Sequence, residues 1–115
     1  MSIISVYAVF ADADEANRIG RVAVEEGLAA CVNILGGISS IYRWKGNVES
    51  AEEVAAIFKT NDCLAGDLIN RIAALHSYDV PCIVSSSIDK ILKPYADWVE
   101  ESLSRASDPE QSCPG

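Results

Sequence analysis

The sequence predicts an α+β fold in which helices cover one face of an antiparallel sheet. Apolar, β-prone runs and amphipathic segments follow one another in the order strand, helix, strand, strand, helix, strand, with one more helix appended. Two neighbouring strands flank a compact turn signal at residues 43–47, which predicts a long β-hairpin. The 115 residues are enough for one hydrophobic core and too few for two. We therefore expect a single domain over residues 1–105 and a flexible tail over residues 106–115.

The first strand and helix are predicted by a change in apolar spacing. Residues 2–11 form a continuous apolar run, which is typical of a central strand. Asp12 or Asp14 then supplies an N-cap, and apolar residues recur at helical spacing. Gly27 ends this helix, because glycine readily takes the left-handed conformation that follows a last helical turn.

The hairpin is the longest predicted element, with arms at residues 30–44 and 48–60. Each arm exceeds twice the usual strand length of about 5 to 6 residues. A straight arm would run about 50 Å, whereas a compact chain of this size is about 35 Å across. We therefore expect the hairpin to overhang its own domain and its tip to pack against another subunit. Gly36 and Gly37 predict a bulge or bend in the first arm.

The second half of the chain completes a split βαβ arrangement. A second helix follows Asn61 or Asp62 and ends near His76, a strand covers residues 82–88, and Pro94 begins a short C-terminal helix. This order is that of the ferredoxin-like fold. The sheet face without helices must meet solvent or another subunit. Aromatic residues in the hairpin favour another subunit: Tyr42, Trp44 and Phe58.

Composition excludes several classes of partner. Seventeen acidic and nine basic residues give a formal charge of -8, which repels phosphate backbones and anionic lipid. We therefore expect no nucleic acid and no membrane partner, and expect cationic ligands instead. No basic segment precedes the first apolar run, and no run approaches the ~18 residues of a membrane span, which favours a cytoplasmic protein. Without a P-loop, G-x-S-x-G or H-E-x-x-H motif, we predict neither an enzyme nor an organic cofactor.

Candidate ligands are few, and each has an alternative structural role. His76 is the only histidine, and at the end of a helix it either caps carbonyl groups or binds a ligand, with Asp79 close enough to share a cation. Cys31, in an apolar strand, is either a small buried hydrophobe or a thiolate ligand for a soft ion such as Cu(I). Cys82 presents the same two possibilities.

A second candidate group is aromatic and basic. It consists of Tyr42, Arg43, Trp44, Lys45 and Lys59. Such a group can form a nucleic-acid platform, but the charge of -8 and the lack of a wider basic stripe argue against that role. Packing of the aromatic residues at an interface is the preferred interpretation.

Four short sequence motifs resemble those of the CutA family of divalent-cation tolerance proteins. They are AACVNI at residues 29–34, SIYRWKG at 40–46, FKT at 58–60 and LHSYDVP at 75–81. The resemblance spans about residues 6–103. It implies a ferredoxin-like subunit in a tight homotrimer, similar in architecture to PII signalling proteins, with hairpins that reach around neighbouring subunits. It also implies tolerance of copper and other divalent ions.

The resemblance also places residues in a cleft between subunits. By position, these cleft residues are Cys31, Tyr42, Trp44, Lys45, Lys59, His76 and Tyr78. The predicted metal ligands follow from side-chain chemistry and not from the resemblance; they are Cys31, His76, Asp79 and Cys82. The sequence departs from the family at residues 75–82, where the usual LHPYEVPE is LHSYDVPC. Residues 10–14 are FADAD where a threonine-rich loop is common.

Three functions follow, in order of preference. The first is a cytoplasmic homotrimer that binds divalent or soft metal ions, copper above all, at its intersubunit clefts and contributes to the metal-ion response. The second is a PII-like signalling trimer that binds a small anion or nucleotide through Arg43, Lys45 and Lys59. The third is an enzyme that uses a cysteine and His76.

Overall fold

A computed structural model describes residues 2–104 of the chain. The tail predicted for residues 106–115 therefore lies outside the described residues. The elements follow the predicted order: β1 (Ile3–Phe10), α1 (Ala13–Glu25), β2 (Cys31–Trp44), β3 (Asn47–Asn61), α2 (Ala65–Leu75), β4 (Ile83–Ser87) and α3 (Lys93–Ser102). Within this range, no helix is long and apolar enough to cross a membrane.

The four strands form one sheet in the order β2-β3-β1-β4, and every neighbouring pair is antiparallel. Strand β3 thus lies between the parallel strands β1 and β2, and β1 lies between β3 and β4. This arrangement requires α1 and α2 to cross over the sheet. The prediction of an α+β, ferredoxin-like fold is confirmed.

The main core lies between the sheet and the two crossover helices. Successive strand residues point to opposite faces, so β1 sends Ile4, Val6, Ala8 and Phe10 toward the helices. Phe58 shares this face of β3 and is fully buried, with its ring centroid 6.4 Å from that of Phe10. The expectation that Phe58 helps to cover the other face is therefore wrong, because its position in the strand alternation directs it into the core.

The face of the sheet opposite α1 and α2, called the outer face below, is partly covered by α3. This face carries Ser5, Tyr7 and Val9 of β1 with Ala55, Ile57 and Lys59 of β3. At one end of it, Val99 and Leu103 pack against Ile3 and Ala30 in a second buried cluster. The appended helix thus lies on the sheet face that α1 and α2 leave open.

The hairpin turns sharply and bends once. Trp44 pairs with Asn47 across a two-residue turn, in which Lys45 and Gly46 have φ angles of 49° and 84°. These angles define a type I′ turn, whose twist suits a hairpin. The register shifts between Ile34 and Gly36, and Gly36 has φ of 92°. The bend predicted at the glycine pair is confirmed as a β-bulge.

Beyond this bulge the hairpin loses the support of the rest of the sheet. Strand β1 ends with the pair Phe10 and Val54, and Val54 is also the partner of Gly37. Residues 38–53 therefore form a ribbon of two strands without a third, and residues 41–50 are all exposed. The molecule measures 50 Å along its long axis and 27 and 26 Å across, so the predicted overhang is confirmed.

Replacing Gly36 by alanine tests the bend. A Cβ there meets no atom within 4 Å, so the cost comes from the positive φ alone and should lower the free energy of unfolding by about 1 to 2 kcal/mol. Gly37→Ala is the matched control, since its Cβ would lie 4.0 Å from the nearest atom, the carbonyl oxygen of Glu53. Urea unfolding should separate the two variants, and equal losses would contradict this role for Gly36.

Candidate functional site

His76 connects the end of α2 to the end of β1. The helix stops at Leu75, and His76 takes an extended conformation as its C-cap. Its ring stacks on Phe10 with centroids 5.1 Å apart and planes inclined by 12°. Nε2 lies 2.7 Å from the carbonyl oxygen of Val9, and Nδ1 accepts the backbone N–H of Tyr78 at 3.0 Å. The imidazole is therefore held on both edges and on one face.

Glu15 fastens the same segment from the side of α1. Its carboxylate is only 6% exposed and accepts the backbone N–H groups of Ala11 at 3.0 Å and Ser77 at 2.8 Å. Burial raises the pKa of Glu15, but these hydrogen bonds and a further one from the Ser77 side chain outweigh burial. The net effect lowers the pKa below 4.5, so Glu15 is ionised near neutral pH.

Tyr78 carries the connection to the hairpin. Its hydroxyl donates to Oε2 of Glu53 at 2.8 Å, and Glu53 lies just beyond the last residue of β3 that β1 supports. Burial and this hydrogen bond raise the pKa of Tyr78 to about 12. The segment 76–78, called the clasp below, thus runs across the end of β1 from the helix-covered face to the outer face.

Cys31 lies elsewhere, at the end of the outer face that α3 covers. Its Sγ is 3.4 Å from the hydroxyl of Tyr95, whose ring stacks on Trp98 at 5.7 Å. The hydrogen bond with Cys31 and burial raise the pKa of Tyr95 to about 12. Cys31 pairs with Lys59, whereas Val9 pairs with Ala55. These positions differ by four residues of β3, or roughly 13 Å, so Cys31 is remote from His76.

The other predicted metal ligands lie nearer to the clasp. The Cys82 carbonyl accepts the N–H of Val9 at 3.1 Å, and its side chain is exposed. Asp79 is exposed directly after the clasp. Across residues 2–104 no three His, Cys, Asp or Glu side chains form a group that could hold a metal ion. A single subunit does not bring the four residues together, and their assignment as metal ligands stays a prediction.

The predicted cleft residues are spread along the whole outer face. Tyr42 and Trp44 are exposed near the hairpin tip, and the Lys45 ammonium lies 5.7 Å from the Trp44 ring centroid. Lys59 is half-buried near α3, and Tyr78 lies between, at the hairpin base. These side chains share a face without converging, so a cleft between subunits stays a prediction.

Comparison with known proteins gives the family. The model of the CutA1 divalent ion tolerance protein family matches residues 4–102. The chain belongs to this family. The CutA proteins of Archaeoglobus fulgidus and Thermus thermophilus, both named divalent-cation tolerance proteins, are 38% identical over 98 residues and 44% identical over 87 residues. The first match covers 85% of this chain and 95% of the relative, the second 76% and 84%.

Solved CutA structures share the fold. The crystal structure of CutA1 from Oryza sativa has a TM-score of 0.89 at 33% identity, covering 92% of this chain and 97% of that chain. CutA from Xylella fastidiosa gives 0.88 at 33% identity, with 90% and 100% covered. The family resemblance inferred from four short sequence motifs is thus confirmed over most of the chain. The name of the CutA1 family refers to divalent ion tolerance, and the absence of an enzymatic activity stays a prediction.

The sequence did not predict three residues that contact the clasp or the candidate side chains: Glu15, Glu53 and Tyr95. Glu15 follows Asp12 at the spacing of a capping box, and Asp12 Oδ1 indeed accepts the Glu15 N–H at 2.8 Å. That spacing could have drawn attention to Glu15. Glu53 and Tyr95 gave no local signal, because their partners Tyr78 and Cys31 lie 25 and 64 residues away in the chain.

The lowered pKa of Glu15 predicts a loss of stability in acid. A carboxyl whose pKa is lower in the folded than in the unfolded chain stabilises the fold fully above the unfolded value, here 4.5. This stabilisation is lost as the pH falls through the folded value. Wild type should therefore be more stable than Glu15→Gln in urea at about pH 7, with the difference shrinking toward about pH 3.

The control is Glu25→Gln, which neutralises an exposed carboxylate on the same helix. Its difference from wild type should stay nearly constant over this pH range. A Glu15→Gln difference that is equally constant would show that the Glu15 charge does not stabilise the clasp.

Proposed function

We propose that this CutA1-family protein is a homotrimer that binds divalent or soft metal ions, copper above all, at clefts between its subunits. In this role it contributes to the cellular response to metal ions. The observation that carries the proposal is the two-stranded ribbon at residues 38–53, which is apolar at several positions and unsupported within the subunit.

The ribbon requires a covering partner. Isolated two-stranded hairpins are at best marginally stable in water, yet Ile41 is 77%, Trp44 58% and Val48 64% exposed. Large exposed apolar patches mark sites of protein association. Strands β2 and β4 also form the two edges of the sheet and leave backbone groups available for pairing. A ring of three copies would cover these surfaces with one repeated contact.

Metal binding is supported by charge and by donor chemistry. A charge of -8 raises the local concentration of cations. The thiols of Cys31 and Cys82 are free, and thiolates prefer soft ions such as Cu(I). A cytoplasmic location, which stays a prediction, would keep these thiols reduced. The names of relatives 38% and 44% identical also refer to divalent cations.

The PII-like alternative has less support. Its three proposed anion contacts do not converge in the subunit. Arg43 donates to the Gly46 carbonyl at 3.1 Å, Lys45 lies against Trp44, and Lys59 is far along the outer face. The names of the related proteins refer to cation tolerance and not to signalling.

Sedimentation equilibrium tests the assembly. Wild type should have three times the chain mass of 12.3 kDa. The double variant Ile41→Ser and Trp44→Ser should shift the equilibrium toward monomer, because it removes apolar area from the ribbon. Val24→Ser, on the exposed side of α1, is the control and should leave the mass unchanged. A monomeric wild type would refute the trimer.

Calorimetric titration with copper, zinc and cadmium tests the metal role. Wild type should bind at least one of these ions. If the thiols are ligands, Cys31→Ser or Cys82→Ser should weaken copper binding about tenfold or more, since hydroxyl groups are poor ligands for soft ions. Ser87→Ala on β4 serves as the control. Absence of binding by wild type to all three ions would remove the metal part of the proposal.

A further inference from the structure

The partners of His76 fix the protonation of its ring. A backbone carbonyl only accepts a hydrogen bond and a backbone N–H only donates one. Nε2, 2.7 Å from the Val9 oxygen, must therefore carry a proton, and Nδ1, which receives the Tyr78 N–H at 3.0 Å, must present its lone pair. One neutral tautomer satisfies both bonds at once.

This tautomer leaves no nitrogen for a metal ion. Histidine binds metals through an unprotonated ring nitrogen, but Nε2 carries the proton and the Nδ1 lone pair is engaged by Tyr78. The Phe10 ring also stacks on the imidazole at 5.1 Å, and the Tyr78 ring lies 4.8 Å away, inclined by 45°. Binding at either nitrogen would break a hydrogen bond that holds the clasp. The imidazole therefore does not fit the metal-ligand role that its residue type and position in the sequence allow.

We infer that His76 is a positioning residue and not a metal ligand: its neutral ring fastens the clasp to β1 so that Tyr78 reaches Glu53 at the hairpin base. Sequence analysis left open whether His76 caps carbonyls or binds a ligand. The geometry favours carbonyl capping, but of Val9 in β1, 67 residues away, and not of the helix that His76 ends.

The chain of contacts has a mechanical consequence. His76 accepts a hydrogen bond from the Tyr78 backbone, and the Tyr78 hydroxyl donates one to Glu53, next to the point where β1 ends. Loss of either bond should loosen the base of the ribbon while leaving the main core in place. The assignment of the ring does not depend on the proposed function. Only the suggestion that a fixed hairpin helps the subunit to contact another subunit rests on the proposed function.

Nuclear magnetic resonance tests the tautomer directly. With ¹⁵N-histidine in the full chain, long-range proton–nitrogen correlation distinguishes protonated from unprotonated ring nitrogens, and the single histidine needs no assignment. We expect a neutral ring protonated at Nε2. Its nitrogen signals should stay unchanged when zinc is added at concentrations well above the Kd measured by calorimetry. A ring protonated at Nδ1, or a nitrogen signal that shifts on zinc binding, would overturn the inference.

This measurement separates the inference from the proposed function. If wild type binds no zinc, copper or cadmium, the metal proposal fails, while the Nε2-protonated spectrum still supports the positioning role. If metal binds and the ring signals stay unchanged, both statements hold. If metal binds through the ring, the positioning inference fails and the metal proposal stands.

Variants test the positioning role. His76→Phe keeps an aromatic ring in contact with Phe10 and Tyr78 but removes both hydrogen bonds, and Tyr78→Phe removes only the bond to Glu53. Both should speed hydrogen exchange of amides in residues 48–53 about tenfold or more, the ratio expected when a bond to a charged acceptor is lost. Tyr7→Phe, on β1 and outside the ribbon, is the matched control and should leave this exchange unchanged.

Two results would count against this role. One is unchanged exchange at the hairpin base in a folded Tyr78→Phe variant. The other is a loss of metal affinity of tenfold or more in a folded His76→Phe variant whose hairpin exchanges at the wild-type rate. If His76→Phe does not fold, Tyr78→Phe and the tautomer measurement still decide the question.

Discussion

Strand β1 ends at Phe10 while its neighbour β3 continues, and the rest of the structure depends on this difference in length. As far as the pair Phe10 and Val54, β1 and β3 lie side by side in a four-stranded sheet that buries a core against two helices. Beyond it, only β2 and β3 remain, so the same hairpin that contributes Val54, Ala56 and Phe58 to the core becomes an exposed ribbon. The bulge at Gly36 lies at this transition, where the ribbon must turn away from the body of the subunit.

The end of β1 also determines where the clasp forms. A strand that stops leaves backbone groups without sheet partners, and buried groups of this kind need hydrogen bonds from elsewhere. Val9 directs its carbonyl to His76, and Ala11 directs its N–H to Glu15. Glu15, four residues beyond Ala11, and His76, 67 residues from Val9, thus complete the strand end. Glu15 also accepts the Ser77 N–H, and His76 accepts the Tyr78 N–H. These bonds place Tyr78 against the base of the ribbon.

The fold was largely predictable because it depends on local patterns. Strand and helix periods, the hairpin turn and the Gly36–Gly37 pair gave the order of elements and the bend. The side of the sheet that α3 covers was not predictable, since the periodicity of a short helix does not identify its partner. The burial of Phe58 also depends on strand alternation relative to β1, which local composition does not reveal.

The site was less predictable, because its residues meet through tertiary contacts. The sequence motif at residues 75–81 drew attention to His76 and Tyr78. The role of His76, however, depends on a carbonyl group of β1 that no sequence spacing indicates. Cys31 begins β2 and Cys82 directly precedes β4, near different ends of the outer face, so spacing alone could not show whether they share a ligand. Family membership supplied the general role of the protein, and geometry supplied the contacts.

We propose that the overhanging ribbon is covered by another copy of the chain. Hydrogen exchange of wild-type amides at residues 41–50, measured at concentrations where the assembly persists, tests this claim most directly. Coverage predicts slow exchange at the tip, comparable with that of β1. Exchange at the rate of an unstructured peptide would show that the ribbon stands free in solution and would contradict the account.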